Sequence, residues 1–365
     1  MSSLKAYHTY SYKEKTYPKE SGGLTVQDKE VKKHLEDKIS EKFDVDFCEI
    51  TFDPNGISTV NILRSVDVDK GSEVIIPVIA PLGIQKAIEI IGAVPRYADV
   101  TDANAVLDIS CVKELVNSKT AAIISRPNWG YPATTSQLAE FANQKKIPLL
   151  TDFTEAVGTR NGKKLEGTFG TMGFCYTSLN AMLRTDEQHC IVITNNAEAI
   201  QQFRDIDKKT SSVKPRKKLD NKPHENYKQV LQDLENLDDY IEQLHKRFWT
   251  WNNLLAETRE FMQPVWLGGA VKYNYQTVLF NLSEEVNTPA YKLIDLLDEK
   301  HILPNYKVNK IDLLDDDEHN TKYYPNAHYL KNKIFPLQVD IFQPGEGEEI
   351  KMKKTVKYLH QIFNG

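Results

Sequence analysis

The hydrophobic pattern changes period several times along the chain, and each change marks an element. In DKEVKKHLEDKISEKF the apolar residues fall at Val31, Leu35, Ile39 and Phe43. That four-residue step predicts an amphipathic helix. FCEITF reads as a short strand, DPNG as a turn and STVNILRSV as a second helix. From there strand and helix alternate. SEVIIPV, VPRYADV, TAAIISRP and IPLLTDF are strands, with IQKAIEIIG, VKELV and TSQLAEFANQKK as the helices between them. Gly92 is expected to close the first of these helices. Apolar runs bounded by turns suit strands covered on both faces. The alternation predicts right-handed βαβ units and a mostly parallel sheet with helices on both sides, a three-layer α/β/α sandwich.

The rhythm stops after Arg204. KKTSSVKPRKKLDNKPH is basic, contains proline and has no period, so it reads as an exposed loop whose charges sit in water. A long helical stretch follows from about Asn226 to Phe261, with Val230, Leu234, Leu237, Ile241 and Leu244 on one stripe. The remainder mixes strands (YQTVLFNL, IFPLQVD) with helices (AYKLIDLLDEK, IKMKKTVKYLHQIF) and predicts a smaller α+β domain. The expected organisation is an N-terminal arm over 1–25, a large α/β domain over 26–225, a linking helix over 226–262 and a small domain over 263–365. The acidic run DLLDDDEH lacks the alternating ligands and glycine of a calcium loop, and the histidines are scattered, so no metal site is expected.

At 365 residues the chain exceeds the size at which single cores stop growing, in keeping with two domains. The net charge of -5 is spread without a dominant sign and argues weakly against a nucleic-acid surface. The four cysteines, Cys48, Cys111, Cys175 and Cys190, have neither zinc nor disulfide-framework spacing, and free thiols in a reducing compartment are expected. The first residues lack the apolar core of a signal peptide, and no apolar run is long enough to span a bilayer. A soluble, cytoplasmic protein is the expectation.

Open parallel sheets bind ligands at the carboxyl ends of their strands. The candidates there are Asn55 and Gly56, then Pro127 and Asn128, then Asp152. Ser58 and Thr59 are expected to cap the helix after the DPNG turn. Asp152 ends an apolar run, so its carboxylate is expected to be buried and to need a cation. Arg126, Arg160 or a protonated ring nitrogen of a ligand would each serve. Nucleotide-binding glycine loops, P-loops and nucleophile elbows are absent from the sequence.

Four blocks, in order, resemble the DegT/DnrJ/EryC1/StrS family of nucleotide-sugar aminotransferases. They are GSEVIIPVIAPLGIQKAIEIIGAVPRYADV, KTAAIISRPNWGYPATTSQLAEFANQKKIPLLTDFTEAVG, GTFGTMGFCYTSLNA and HENYKQVLQDLENLDDYIEQLHKR. The likeness runs from about residue 27 to the end. It implies pyridoxal-phosphate fold type I, with pyridoxal 5′-phosphate or pyridoxamine phosphate as cofactor and a nucleotide-linked sugar as substrate. It also implies a homodimer with shared sites. Under it, Asp152 would pair with the cofactor's pyridine nitrogen, Gly56 would belong to the phosphate turn, and Asn226 would reach the phosphate across the dimer. Other positions depart from the family pattern. Ile57 replaces a hydroxyl residue, Pro81 an aromatic that stacks on the ring, Glu155 a glutamine and Tyr176 a serine. Ser178, Asn180 and Arg184 stand close enough in sequence to compensate.

The largest departure is Ala181, which falls where the family's Schiff-base lysine stands. A methyl group can neither hold the cofactor aldehyde nor move a proton. Three readings follow. The lysine was replaced by design in an aminotransferase. Or the chain never had it and binds a nucleotide sugar or a partner protein, any cofactor being held non-covalently. Or the chain is a lysine-less sugar 3-dehydratase, which would place a histidine here, whereas no histidine lies within a helical turn of Ala181.

Overall fold

The structure is a computed structural model that describes residues 26–103, 105–132, 134–211, 223–265, 273–303, 311–315, 322–341 and 347–364. The expected N-terminal arm, most of the basic loop and part of the acidic run lie outside the described residues. A seven-stranded sheet forms the centre, built from β1 (Phe47–Phe52), β2 (Glu73–Pro77), β3 (Val94–Ala98), β4 (Thr120–Ser125), β5 (Leu149–Asp152), β8 (Met172–Tyr176) and β9 (His189–Thr194). Their order is β1-β9-β8-β5-β4-β2-β3. The five from β8 to β3 run parallel, and β9 is antiparallel to both its neighbours. A two-stranded hairpin, β6 (Arg160–Asn161) with β7 (Lys164–Leu165), stands apart from it.

Alternate residues of the sheet face two helical layers. Ile124, Leu150, Phe174 and Val192 pack with α2 (Ser58–Arg64), α3 (Leu82–Ile91) and α6 (Ala197–Ser211). Ile75, Ile123 and Leu149 face α4 (Ile109–Leu115) and α5 (Thr135–Lys145) on the other side. Cys175, Ile191 and Ile193 share one core cluster with Leu35, Ile39 and Phe43 of α1 (Val26–Phe43). This is the expected three-layer sandwich. Gly92 closes α3 in the left-handed conformation, with φ +83°. Cys48, Cys175 and Cys190 are buried and Cys111 is half-buried, all as free thiols.

The stripe from Val230 to Leu244 runs through two helices rather than one, α7 (Pro223–Glu235) and α8 (Leu237–Leu254). The smaller region holds an antiparallel sheet of β10 (Met262–Pro264), β11 (Thr277–Leu282) and β12 (Ile334–Gln338). Around it lie α9 (Ala290–Glu299), α10 (Pro325–Lys333) and α11 (Glu348–Asn364). Its buried residues, such as Phe280, Leu293 and Phe335, join the same apolar cluster as α1, α7 and α8. No helix among the described residues is long and apolar enough to cross a membrane.

Candidate functional site

Parallel pairing of β4 with β5 sets Ile124 beside Leu150 and Ser125 beside Thr151. The next residue on each strand is therefore Arg126 beside Asp152. Arg126 is 5% exposed and Asp152 2%. A desolvated charge at such depth must be paired, and these two pair with each other. Arg126 Nη1 donates to Asp152 Oδ2. Nη2 donates to Glu155 Oε1 at 2.5 Å and Nε to Asn128 Oδ1 at 2.9 Å. Asp152 Oδ1 accepts from Thr154 N at 3.1 Å and Thr154 Oγ1 at 2.5 Å. Both carboxylate oxygens are thus engaged by the chain itself. Of the cations that could serve Asp152, the one in place is Arg126. Arg160 lies in the β6–β7 hairpin and donates to the Lys163 carbonyl at 3.1 Å.

Glu155 completes the cluster. Its second oxygen accepts from Trp129 N at 2.6 Å. Trp129 itself adopts φ +54°, a left-handed conformation uncommon for a bulky residue. From the small sheet's side, Asn274 Nδ2 donates to the Glu155 carbonyl at 2.7 Å and the Val157 carbonyl at 3.2 Å. A Cβ on Gly130 would meet Asn274 Oδ1 at 2.2 Å, so only glycine permits this approach.

The turn before α2 is closed in a similar way. Gly56 takes φ +68°. Asp53, fully buried, accepts from Ile57 N at 2.7 Å and Ser58 N at 2.9 Å. Neither Ser58 nor Thr59 caps α2 as expected; Ile57 stands at the cap position, and Asp53 holds its amide and that of Ser58, the first residue of the helix. Burial pushes the Asp53 carboxyl above its ordinary range, against the opposing pull of the Ser58 and Ile57 amides. Ile57 points outward at 36% exposure. Tyr176, at the end of β8, reaches back so that its hydroxyl lies 2.7 Å from Thr59 Oγ1. Pro81 is the residue before α3, with φ -58° and ψ 140°.

The remaining candidates make other contacts. Ala181 sits half-buried in the β8–β9 loop, its amide donating to the Ser178 carbonyl at 3.2 Å. Ser178 and Asn180 are exposed, and Gln276 Nε2 holds the Asn180 carbonyl at 2.8 Å. Arg184 turns to α7, where its Nη2 meets Asp233 Oδ1 at 2.5 Å. Asn226 is 7% exposed, and its Nδ2 donates to Glu187 Oε2 of the same chain at 3.1 Å. His189 is buried in β9 between Phe52 and Tyr227, and burial pulls its pKa down to about 4.

Asp53, Thr154 and Asn274 were not foreseen as site residues. Asp53 had a readable signal, an Asx residue opening the turn into a helix. Asn274 had none, being 115 residues away from Thr159, whose hydroxyl its amide bonds. Away from the cluster, a cleft of about 470 Å³ opens where the loop after β3 meets the small sheet, with Asp102, Gln263, Asn281, Ser283 and Tyr329 in its wall. Among the described residues no group of acidic, histidine or cysteine side chains could hold a metal ion.

The sequence pattern of the DegT/DnrJ/EryC1/StrS aminotransferase family matches residues 19–339. The chain belongs to that family. GDP-perosamine synthase of Escherichia coli O157:H7 is 27% identical over 163 residues, 44% of this chain and 44% of that protein. GDP-4-keto-6-deoxy-D-mannose 3-dehydratase of Escherichia coli O55:H7 is 28% identical over 123 residues, 34% of this chain and 32% of that one. The match spans less than half the length of these curated relatives. Solved structures extend the likeness in fold. 3-Amino-5-hydroxybenzoic acid synthase superposes with a TM-score of 0.74 at 17% identity, covering 92% of this chain and 91% of that one. A GDP-4-keto-6-deoxymannose 3-dehydratase, solved with a trapped PLP–glutamate geminal diamine, gives 0.70 at 17% identity, covering 90% and 92%. The fold is that of the pyridoxal-phosphate type I aminotransferases.

The residues of this chain fit that cofactor poorly. Asp152, which the family resemblance led us to expect beside the pyridine nitrogen, is engaged by Arg126 and Thr154. The Ser58 amide that opens α2 and the Ile57 amide before it are engaged by Asp53. Position 181 carries a methyl group.

Proposed function

We propose that this family member has lost amine transfer and binds a nucleotide-linked sugar as a ligand. The observation that carries the reading is Ala181: the position from which the family's lysine acts has no nitrogen to form a Schiff base or relay a proton. The neighbouring departures favour natural divergence over a single designed replacement. Glu155 serves Arg126 and Tyr176 serves Thr59, so both substituted side chains have partners in the chain. A replacement of lysine alone would leave its neighbours as the family has them. The dehydratase reading has no such support, since His189 lies buried against Tyr227 with its Nδ1 at the Glu187 carbonyl.

The ligand class rests on relatives named for sugars carried on GDP, UDP and dTDP. In such a protein the fold supplies recognition and no step passes through a cofactor. The reading includes a cytoplasmic homodimer, checked by light scattering. Calorimetric titration with GDP-, UDP- and dTDP-linked 4-keto-6-deoxy sugars tests the ligand, with saturable binding expected for at least one. Amino sugar formed from any of them, with glutamate and pyridoxal phosphate present, would refute the loss of amine transfer.

A further inference from the structure

The Arg126 cluster goes beyond a missing lysine. We infer that Arg126 is an internal plug: its guanidinium holds, from within the chain, the cation position on Asp152 that a bound cofactor would otherwise fill. This rests on the reading above that the chain performs no amine transfer.

The geometry carries the inference. Three edges of the guanidinium are committed, to Asp152, Glu155 and Asn128. The planar fork matches two carboxylates at once, which a lysine's single ammonium would not do. Glu155 is in turn held by the Trp129 amide at 2.6 Å. Asn128 is fixed as well, its Nδ2 donating to the Ala105 carbonyl at 2.8 Å. The plug is therefore held on both flanks. A ring nitrogen approaching Asp152 would have to displace a buried, permanently charged group whose other partners stay in place. Arginine cannot shed its proton to ease that exchange.

A chain that had lost only the lysine would regain the cofactor when the lysine is returned. This chain is expected not to. The test compares three proteins, the native chain, Ala181→Lys and Ala181→Lys with Arg126→Gln. Each is titrated with pyridoxal phosphate, followed by aldimine absorbance, borohydride fixation and mass mapping of the peptide that contains position 181. Ala181→Lys alone is expected to bind on the order of 100-fold more weakly than the double variant, the worth of one charge-assisted hydrogen bond on a buried carboxylate. Equal binding by the two variants, within a few-fold, overturns the plug.

Removing Arg126 takes the guanidinium away from two carboxylates, so folding is checked by circular dichroism. If the double variant fails to fold, Ala181→Lys alone decides. Fixation at residue 181 at micromolar pyridoxal phosphate overturns the plug, and none at millimolar upholds it. The two readings fail separately. Amino sugar made by the native chain defeats the loss of amine transfer. Tight cofactor binding by Ala181→Lys defeats only the plug.

Discussion

The strand-end cluster and the cleft beside the small sheet both carry hydrogen-bonding side chains, to opposite effect. At the strand ends Arg126, Asp152 and Glu155 are brought together and satisfy one another, with Arg126 and Asp152 buried. In the cleft, Asn281 and Tyr329 also meet, Tyr329 Oη donating to Asn281 Oδ1 at 3.1 Å, but both are exposed. Hydrogen-bonding capacity alone does not make a binding site. A site needs capacity that the chain has not already spent on itself, and burial raises the cost of prying a committed pair apart.

The contrast can be broken by mutation. Arg126→Leu takes the guanidinium away from Asp152 and Glu155 and is expected to destabilise the fold by about 3–5 kcal/mol, the usual effect of removing one partner of a buried pair. Urea denaturation measures it, and a loss under about 1 kcal/mol would mean that water reaches the cluster.

The second largest effect is a pH dependence. His189 is held neutral, its pKa drawn down to about 4 from an ordinary value near 6.5. The unfolded chain then binds the proton that the folded chain refuses. Its contribution is full above about pH 6.5 and is lost as pH falls toward 4, worth about 3 kcal/mol over that window. His189→Phe is expected to flatten the stability slope in that range, and denaturation midpoints at several pH values would reveal it.

Asp53→Ala frees the Ile57 and Ser58 amides and is expected to cost about 0.5–2 kcal/mol, as cap removals do, read from the thermal midpoint. Tyr329→Phe removes a bond between exposed partners and is expected to change stability by no more than about 0.5 kcal/mol. A larger change there would show that the cleft is as tightly committed as the strand ends.

Much of the fold was legible because its causes are local. Strands such as SEVIIPV and TAAIISRP are covered on both faces, so they show as apolar runs bounded by turns. The division of the long helix was not legible. Asn236 interrupts it with φ -94° and ψ 7°, but Leu234 and Leu237 on either side keep the apolar stripe unbroken, so the pattern reads straight through. At the site, Asp152 was visible as an acid closing an apolar run. Its partner depended on strand register, which brings Arg126 alongside from 26 residues away. The cap on α2 was misplaced because Ser58 and Thr59 stood nearer the helix, while Asp53 reaches it across the turn. Asn226 was expected to reach a phosphate across a dimer, and within this chain its Nδ2 donates to Glu187.

Asn274 has a mechanical consequence. Its carboxamide leaves the entrance of β11 and grips the chain at Glu155 and Val157, while its amide bonds Thr159 and its oxygen fills the space that Gly130 vacates. A hinge between the two sheets would have its pin here, at the edge of the Arg126 cluster. The smaller region cannot swing away without tugging the segment that carries Glu155. Motion of one sheet against the other is thereby geared to the integrity of a charge cluster, and amide exchange in the two segments should open together.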